Sequence, residues 1–205
     1  MDAFTRLTAI AAPCEPENVD TDQILPARFL KMPRGGGRHY GDFLFHDLRR
    51  LPDGTTRADF VLERPEFRSA RILVANANFG CGSSREGAAY AFRDAGFRAI
   101  VAPSFGDIFF GNCLRNGIVP VRLAAAECAH LRARLAARPG TALTVDLERQ
   151  EVALPDEAPL AFALEPFFRE MLLKGVDELG LTLGLDAQIQ AFEARRRAAE
   201  PWAIR

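Results

Sequence analysis

The sequence predicts a three-layer α/β fold, and a regular alternation in the middle of the chain is the main reason. Short apolar runs at residues 71–75, 99–102 and 118–121 have the pattern of buried strands. Helical segments at 85–95 and 104–116 connect them, and a glycine follows each segment. Strand, helix, strand, helix and strand at this spacing form two βαβ units, which predicts a partly parallel sheet.

The flanking segments place further strands and helices around this centre. These are a strand at 5–11, a helix at 124–137, a hairpin of strands at 141–147 and 151–154, and helices at about 165–174 and 186–199. Pro26 argues against a central strand or a helix interior at 24–30. Ser104, with Asp107 three residues later, has the pattern of a capping box. We expect one domain over residues 1–205, with the helices at about 165–199 as an appendage.

Composition and charge exclude several classes of function. Hydrophobic residues make up 48% and charged residues 26% of the 205 residues, which is typical of a globular protein. A formal net charge of −1 argues against a nucleic-acid-binding protein, which normally has a basic excess. No apolar run is long enough to span a bilayer, and the N-terminus lacks the features of a signal peptide. We therefore expect a cytoplasmic protein that binds neither nucleic acid nor membrane.

The cysteines and histidines do not have the spacing of metal ligands. The four cysteines, Cys14, Cys81, Cys113 and Cys128, are far apart and form no C-x-x-C pair. An iron–sulfur cluster normally needs three or four cysteines, and zinc sites need similarly regular spacings. We therefore expect this chain to bind no metal and no cofactor of its own.

The segment between the strand at 71–75 and the following helix is rich in glycine and in hydrogen-bond donors. It reads GCGSSR at residues 80–85. The amides at the start of a helix have no internal partners and point toward any bound anion. Ser83, Ser84 and Arg85 add donors, and arginine can bind a carboxylate with two parallel hydrogen bonds. The pattern predicts a loop that binds carboxylate or phosphate, although serines that merely cap the helix are an alternative.

Two nucleotide-binding motifs fail on this segment. A dinucleotide fingerprint needs a third glycine where Arg85 stands. A P-loop needs Lys followed by Ser or Thr, and Ala88 and Ala89 occupy those positions. The loop therefore indicates an anionic ligand other than a nucleotide.

Four segments, in order along nearly the whole chain, resemble the aconitase superfamily in the version found in the small subunits of 3-isopropylmalate dehydratase. They are NVDTDQILPARFL at 18–30, NFGCGSSRE at 78–86, APSFGDIFFGNC at 102–113 followed by Asn116 and Gly117, and LLKGVD at 172–177. Four ordered motifs are a specific signal. The resemblance implies the three-layer β/β/α swivelling domain of the aconitase C-terminal or small-subunit type.

The resemblance also implies a reaction and a partner. Enzymes of this family remove water from a small hydroxy-dicarboxylate and add it back at the neighbouring carbon. For this chain, the implied reaction is the interconversion of 2- and 3-isopropylmalate in leucine biosynthesis. A [4Fe–4S] cluster is expected on a cysteine-rich, aconitase-like large subunit, in a heterodimer or heterotetramer that is active only when complete.

The family's site residues match positions of the glycine-rich loop. By position, Ser83 is expected to remove the proton next to a substrate carboxylate. The alkoxide that this requires would be stabilised by the helix N-terminus, the loop amides and Arg85. Arg85 is expected to bind a substrate carboxylate, with Ser84 as a second donor to the same group.

Two further site residues follow from the resemblance alone. Asp22 matches a family aspartate that is expected to pair with a histidine of the large subunit and so orient a proton donor. Arg34 lies in the segment 34–40, where the family has a substrate-discriminating loop. Each has a simpler interpretation, as a turn-forming aspartate and as part of a flexible loop that contains Gly35–Gly37.

One position departs from the family pattern. The family loop usually continues with histidine after the Ser-Ser-Arg-Glu motif, whereas Gly87 follows Glu86 here. This puts the substrate in doubt more than the fold or the reaction. A related dehydratase acting on methylmalate, citraconate or dimethylmalate is the enzymatic alternative. A non-catalytic module that binds an anionic metabolite through the loop is a second alternative.

Overall fold

The computed structural model describes residues 1–32 and 39–203, and within them seven strands form one mixed sheet. The strands are β1 (Arg6–Pro13), β2 (Ile72–Val74), β3 (Ala99–Ala102), β4 (Val119–Arg122), β5 (Ala142–Asp146), β6 (Glu151–Ala153) and β7 (Leu160–Ala161). Their order in the sheet is β4-β3-β2-β1-β5-β6-β7. The strands expected at 5–11, 71–75, 99–102 and 118–121 and the hairpin at 141–154 are all confirmed.

The same part of the chain contains eight α-helices and several short 3₁₀ turns. The helices are α1 (Thr21–Ile24), α2 (His46–Arg49), α3 (Gly87–Asp94), α4 (Asp107–Arg115), α5 (Ala125–Ala137), α6 (Pro166–Lys174), α7 (Glu178–Leu183) and α8 (Asp186–Ala199). The 3₁₀ turns are Ala27–Lys31, Tyr40–Phe43, Val61–Glu63, Pro65–Phe67 and Pro201–Ala203. Pro26 immediately precedes the first of these turns, which agrees with its exclusion from a helix interior.

Strand β1 joins a parallel and an antiparallel half of the sheet. Its last residues, from Ala11 to Pro13, pair in parallel with β2. Its first residues, from Arg6 to Ile10, pair antiparallel with β5. Strands β2 and β3 are buried at every residue, because helices or loops cover both faces of the parallel half. Strand β5 alternates between buried and partly exposed residues, as expected for a sheet with one covered face.

The two halves of the sheet share an apolar core. Val74 of β2 and Val145 of β5 lie in the same cluster of buried side chains, together with Leu131 of α5. The sheet is therefore curled, so that one face of each half contacts this core. On the other face of the parallel half, Leu73 packs in a second cluster with Phe92 of α3. The predicted three-layer α/β class is confirmed by this arrangement.

The start of α4 differs from the prediction. Gly106 occupies the N-cap position, and within the described residues no side chain caps this helix. The hydroxyl of Ser104 instead accepts a hydrogen bond from the backbone N–H of Asn78, at 2.8 Å. The predicted capping box of Ser104 and Asp107 is therefore wrong, since Ser104 is used to hold the loop that follows β2.

The C-terminal helices differ in how they contact the rest of the chain. Helix α6 is part of the core, because Met171 and Leu172 are fully buried. The carbonyl of Leu172 also accepts a hydrogen bond from the backbone N–H of Phe4, at 2.8 Å. Residues 182–202 are exposed throughout. The division into one domain with a C-terminal appendage stays a prediction. Across the two described ranges, no helix has the length and apolar character needed to cross a bilayer.

Candidate functional site

The glycine-rich loop at 78–86 lies at the carboxyl end of β2, where ligands of open α/β sheets commonly bind. The segment that follows β1 is hydrogen-bonded to it like a neighbouring strand. Gly80 donates its backbone N–H to the carbonyl of Val19 at 2.7 Å, and Thr21 donates to the carbonyl of Cys81 at 2.9 Å. The hydroxyl of Thr21 donates to the carbonyl of Ser83 at 3.2 Å. The backbone of the proposed base is thus held in place while its side chain is exposed.

The segment after β3 holds the other side of the loop. Phe79 donates its backbone N–H to the carbonyl of Ser104 at 3.0 Å, and Gly106 donates to the carbonyl of Phe79 at 2.9 Å. Three segments that follow three neighbouring parallel strands therefore meet at the loop. The sequence motifs at 18–30, 78–86 and 102–113 correspond to these segments, which explains why they occur together.

Gly80 is required by the loop for two physical reasons. Its φ is +72°, in the left-handed region that side chains disfavour. A Cβ atom built on it would lie 2.2 Å from Cδ1 of Phe109. The ring of Phe109 in α4 therefore packs directly against the loop backbone, and any larger residue at position 80 would separate the two.

The serines do not cap the helix that follows them. Helix α3 begins at Gly87, two residues later than predicted, and Glu86 is its N-cap residue. Within the described residues, no side chain donates or accepts a capping hydrogen bond there. Ser83 and Ser84 lie before the cap and are exposed. The capping alternative is therefore wrong, and both hydroxyls are placed where a ligand could reach them.

Arg85 and Asp22, which the sequence pointed to separately, contact each other. A guanidinium nitrogen of Arg85 donates to a carboxylate oxygen of Asp22, and both side chains are partly exposed. Asp22 is in the first turn of α1, which is fixed by a capping box between Asp20 and Gln23. A partly exposed ion pair of this kind is worth about 0–1 kcal/mol, so a substrate carboxylate can compete for the guanidinium.

A buried amide also fixes the residue next to Arg85. Asn116, the C-cap residue of α4, donates from Nδ2 to the carboxylate of Glu86 at 2.9 Å and to the carbonyl of Asn112 at 2.8 Å. Glu86 lies 30 residues earlier along the chain, and nothing in the local pattern predicts its contact with Asn116.

Gly87 is packed beneath two leucines. A Cβ atom at this position would lie 2.3 Å from Cδ2 of Leu30 and 3.1 Å from Cδ2 of Leu25. Leu30 belongs to the 3₁₀ turn Ala27–Lys31. The space that a side chain at position 87 would need is therefore filled by leucine. Leu30 therefore lies where a side chain at position 87, such as the histidine of the family pattern, would have to fit.

The segment that contains Arg34 lies outside the described residues, and so do Gly35–Gly37. The described residues on either side are tied together. The hydroxyl of Tyr40 is hydrogen-bonded to the carbonyl of Leu30 at 3.2 Å and to that of Met32 at 3.3 Å. Tyr40 is thus held to Leu30 and Met32, and the role of Arg34 stays a prediction.

Two of the four thiols, those of Cys113 and Cys128, are buried in the core, and the thiol of Cys14 is half-buried against it. Burial raises the pKa of Cys14 to about 12 and that of Cys128 to about 11, and it also raises the pKa of Cys113. Thiols of this kind are neutral near pH 7, whereas a metal-binding cysteine must be a thiolate. In the described part of the chain, no group of three or more His, Cys, Asp or Glu side chains is arranged to hold a metal ion.

The curled sheet and the loop at its edge belong to a protein of the aconitase C-terminal domain class. A family model described as the aconitase C-terminal domain matches residues 1–126, which is more than half of the chain. A LeuD_N model matches residues 129–166. A third model, for the C-terminal domain of the 3-isopropylmalate dehydratase small subunit, matches residues 179–204.

Full-length relatives narrow this class. The 3-isopropylmalate dehydratase small subunit of Gluconacetobacter diazotrophicus is 48% identical over 205 residues, which are 100% of this chain and 98% of the relative. That of Rhodospirillum centenum is also 48% identical, over 100% of both chains. The chain belongs to the family of 3-isopropylmalate dehydratase small subunits.

A solved structure has the same fold. The crystal structure described as 3-isopropylmalate dehydratase from Methanocaldococcus jannaschii matches with a TM-score of 0.65 and 24% sequence identity. The match covers 92% of this chain and 99% of that chain. The predicted fold of the aconitase small-subunit type is confirmed.

Proposed function

We propose that this chain is the small subunit of a two-chain hydro-lyase that interconverts 2-isopropylmalate and 3-isopropylmalate by dehydration and rehydration in leucine biosynthesis. Full-length identity of 48% to small subunits of that enzyme carries the proposal. The exposed Ser83 and Ser84 and the partly exposed Arg85 lie in a loop that is held by the segments after β1 and β3, and they supply groups suited to a small hydroxy-dicarboxylate.

Ser83 is the base of the proposed reaction. Its alkoxide takes the proton from the carbon next to a substrate carboxylate and becomes the hydroxyl. The resulting carbanion expels the hydroxyl group of the neighbouring carbon, which leaves as water after it accepts a proton from the donor that Asp22 is proposed to orient. A serine hydroxyl is a weak base in water, so the site must stabilise its alkoxide. The N-terminal amides of α3 and the guanidinium of Arg85 are proposed to provide that stabilisation, because both are positive and follow Ser83 in the chain by four and two residues.

Arg85 and Ser84 bind the substrate carboxylate in this proposal. Arginine offers a planar pair of N–H donors, of which Asp22 accepts one in the free subunit. In the complete enzyme, Asp22 also pairs with a histidine of the large subunit and thereby orients a proton donor for the departing hydroxyl. Arg34 is also proposed to contact the substrate.

The large subunit is proposed to be cysteine-rich and aconitase-like and to hold a [4Fe–4S] cluster. The buried thiols of this chain, whose pKa values are raised, do not fit the role of cluster ligands. When bound to the partner, the cluster would act as a Lewis acid toward the departing hydroxyl. The enzyme is proposed to be a cytoplasmic heterodimer or heterotetramer.

A second substrate is favoured by one observation. Leu30 fills the space that a side chain at position 87 would need, so the histidine of the family pattern is absent beside the loop. The alternative substrate is therefore a related malate, either methylmalate, whose dehydrated acid is citraconate, or dimethylmalate.

The decisive experiment uses both chains. The small subunit is co-expressed with a cysteine-rich, aconitase-like large chain from the same genome, and the cluster is reconstituted under anaerobic conditions. A panel of 2-alkylmalates and 3-alkylmalates is then assayed in both directions. We expect the highest kcat/KM for the isopropyl compounds. A higher value for methylmalate would replace the substrate, and assembly without any turnover would favour a non-catalytic anion-binding module.

A further inference from the structure

Helices α7 and α8 expose an unusual number of large apolar side chains. Leu179, Leu183, Leu185, Ile189 and Phe192 are between 39% and 64% exposed. Single exposed leucines are common on protein surfaces, whereas grouped apolar side chains mark interaction sites, and these five fall within 14 residues of the chain. These five residues are called the C-terminal apolar face below.

The side chains of α8 lie on one side of the helix. Leu185 directly precedes α8, and Ile189 and Phe192 follow at spacings of four and seven residues, which places all three in one stripe. Ala187 and Ala194 are on the opposite side by the same helical geometry. The helix therefore has a face to cover and a face that can remain in water.

This part of the chain contributes little to its own stability. Every residue of α8 is exposed, so packing against the body does not stabilise the helix. Isolated helices shorter than about 12–15 residues are marginal in water. Helix α7 is capped at its start, where the Asp177 side chain accepts a hydrogen bond from the N–H of Gly180 at 2.7 Å, and this local bond does not attach α8 to the body. A covering surface is what would hold α8 in place.

Helix α4 connects the candidate site to the start of α7. A Cβ atom at Gly106, just before α4, would lie 2.4 Å from the carbonyl oxygen of Gly80, so the helix starts against the loop. Ile108 and Arg115 are exposed, and their spacing of seven residues places them on one side of α4. Arg115 then forms an ion pair with Glu178 at the start of α7, at 3.3 Å.

We propose that the C-terminal apolar face docks on the cysteine-rich large subunit. This inference rests on the proposed function, in which the large subunit must close over Ser83 and Arg85. A chain that covers the loop meets Ile108 next, and α4 leads about 14 Å further to α7. The segment is also typical of small subunits, since residues 179–204 match a model described by that subunit's name. These two observations favour the large subunit over a second copy of this chain.

The test introduces charge on each side of α8. The double variant Ile189→Glu with Phe192→Glu places two carboxylates on the apolar face. The matched control, Ala187→Glu with Ala194→Glu, adds the same charge to the opposite side of the same helix. The affinity for the large subunit is measured by biolayer interferometry and sedimentation velocity. We expect the first variant to weaken binding by tenfold or more, which is about 1.4 kcal/mol, and the control to change it by less than about threefold.

Folding and self-association are measured in the same experiment. Circular dichroism and thermal melting of each free variant should match the wild type, because the substituted residues are exposed. Equal affinity of both variants for the large subunit would overturn the inference. So would loss of a homodimer of the free small subunit with unchanged heteromer affinity, because a second copy would then occupy the face.

Failure of the proposed function would look different. A wild-type pair that assembles but does not interconvert isopropylmalates overturns the reaction and leaves the docking surface intact. A Glu variant that assembles like the wild type overturns the docking surface, whatever the activity of the pair.

Discussion

Arg85 has two carboxylate partners in the proposed reaction, one from Asp22 and one from the substrate. The ion pair with Asp22 orients the guanidinium before the substrate arrives, while its partial exposure keeps it weak enough to open. Ser83 depends on the same guanidinium for stabilisation of its alkoxide. Separate replacements of Ser83 and Arg85 therefore distinguish the base from the carboxylate-binding group.

Replacing Ser83 by alanine should remove the base and leave assembly unchanged. General-base catalysis typically contributes about 10²–10⁴-fold, and we expect kcat to fall within or beyond that range. The Ser84→Ala variant is the matched control, since it removes the neighbouring hydroxyl, and it should mainly raise KM. Both variants are assayed with isopropylmalate after confirming heteromer formation by size exclusion. Wild-type turnover in Ser83→Ala would remove the role assigned to that residue.

Replacing Arg85 by lysine should weaken substrate binding. Lysine keeps the charge but cannot reproduce two parallel hydrogen bonds to one carboxylate. We expect KM to rise by about tenfold or more, because a charge-assisted hydrogen bond is worth about 1.5–3 kcal/mol. Arg50→Lys is the control, because Arg50 is exposed and bonds to a turn at Gly54. Equal KM values for the two variants would mean that Arg85 does not contact the substrate.

Most strands and helices could be predicted from the sequence because the patterns that specify them are local. The buried runs that became β2, β3 and β4 are short, apolar and bounded by turns. Helix α7 was missed because it has six residues and contains Gly180, although Asp177 at its N-cap was a usable signal. The capping role assigned to Ser104 was wrong, because the competing partner, the N–H of Asn78, lies 26 residues earlier.

Helix α3 provides a test of how Gly87 is packed. Glycine to alanine in a helix interior normally stabilises by about 1 kcal/mol, and the gain is smaller at the first residue of a helix, where Gly87 lies. At Gly87 the new methyl group meets Leu30, and overpacking typically costs about 1–3 kcal/mol. We therefore expect Gly87→Ala to be neutral or destabilising in urea unfolding. In a Leu30→Ala background the same change should be stabilising, because the opposing methyl is gone.

Gly111 in α4 is the matched control for this cycle. A Cβ atom there would approach only the Arg115 side chain, at 3.9 Å. Gly111→Ala should therefore stabilise by up to about 1 kcal/mol in either background. If Gly87→Ala is as stabilising as Gly111→Ala, Leu30 does not fill the space beside the loop in solution.

Contacts between segments that are distant along the chain could not be predicted from the sequence. The local pattern of 5–11 indicates a strand, but not that β1 pairs with β2 on one side and β5 on the other. The same is true of the contact between Asp22 and Arg85, which lie 63 residues apart. The resemblance identified both residues as functional, and only the fold shows that they meet. In the proposed enzyme the substrate site is completed by a second chain, which this sequence does not contain.

The thiols of Cys14, Cys113 and Cys128 make the free energy of unfolding of the whole chain depend on pH in the alkaline range. The pKa values of Cys14 and Cys128 are raised to about 12 and 11 from the ordinary thiol value of 9.0, and that of Cys113 is raised as well. Such a thiol ionises at a lower pH in the unfolded state than in the folded state. Its ionisation at high pH therefore favours unfolding. Its contribution is fully present below about pH 9 and is lost as the pH rises through the folded-state values.

The free energy of unfolding should therefore fall more steeply between about pH 9 and pH 11 than it does in a variant with alanine at positions 14, 113 and 128. Chemical denaturation of both proteins at several pH values measures this difference. Alanine leaves small cavities, so the variant will be less stable at pH 7, and only the slopes are compared. Cys81→Ser, which changes the partly exposed thiol of the loop, is the control and should keep the wild-type slope. Equal slopes in the wild type and the alanine variant would show that the three thiols ionise as easily in the folded chain as in the unfolded one.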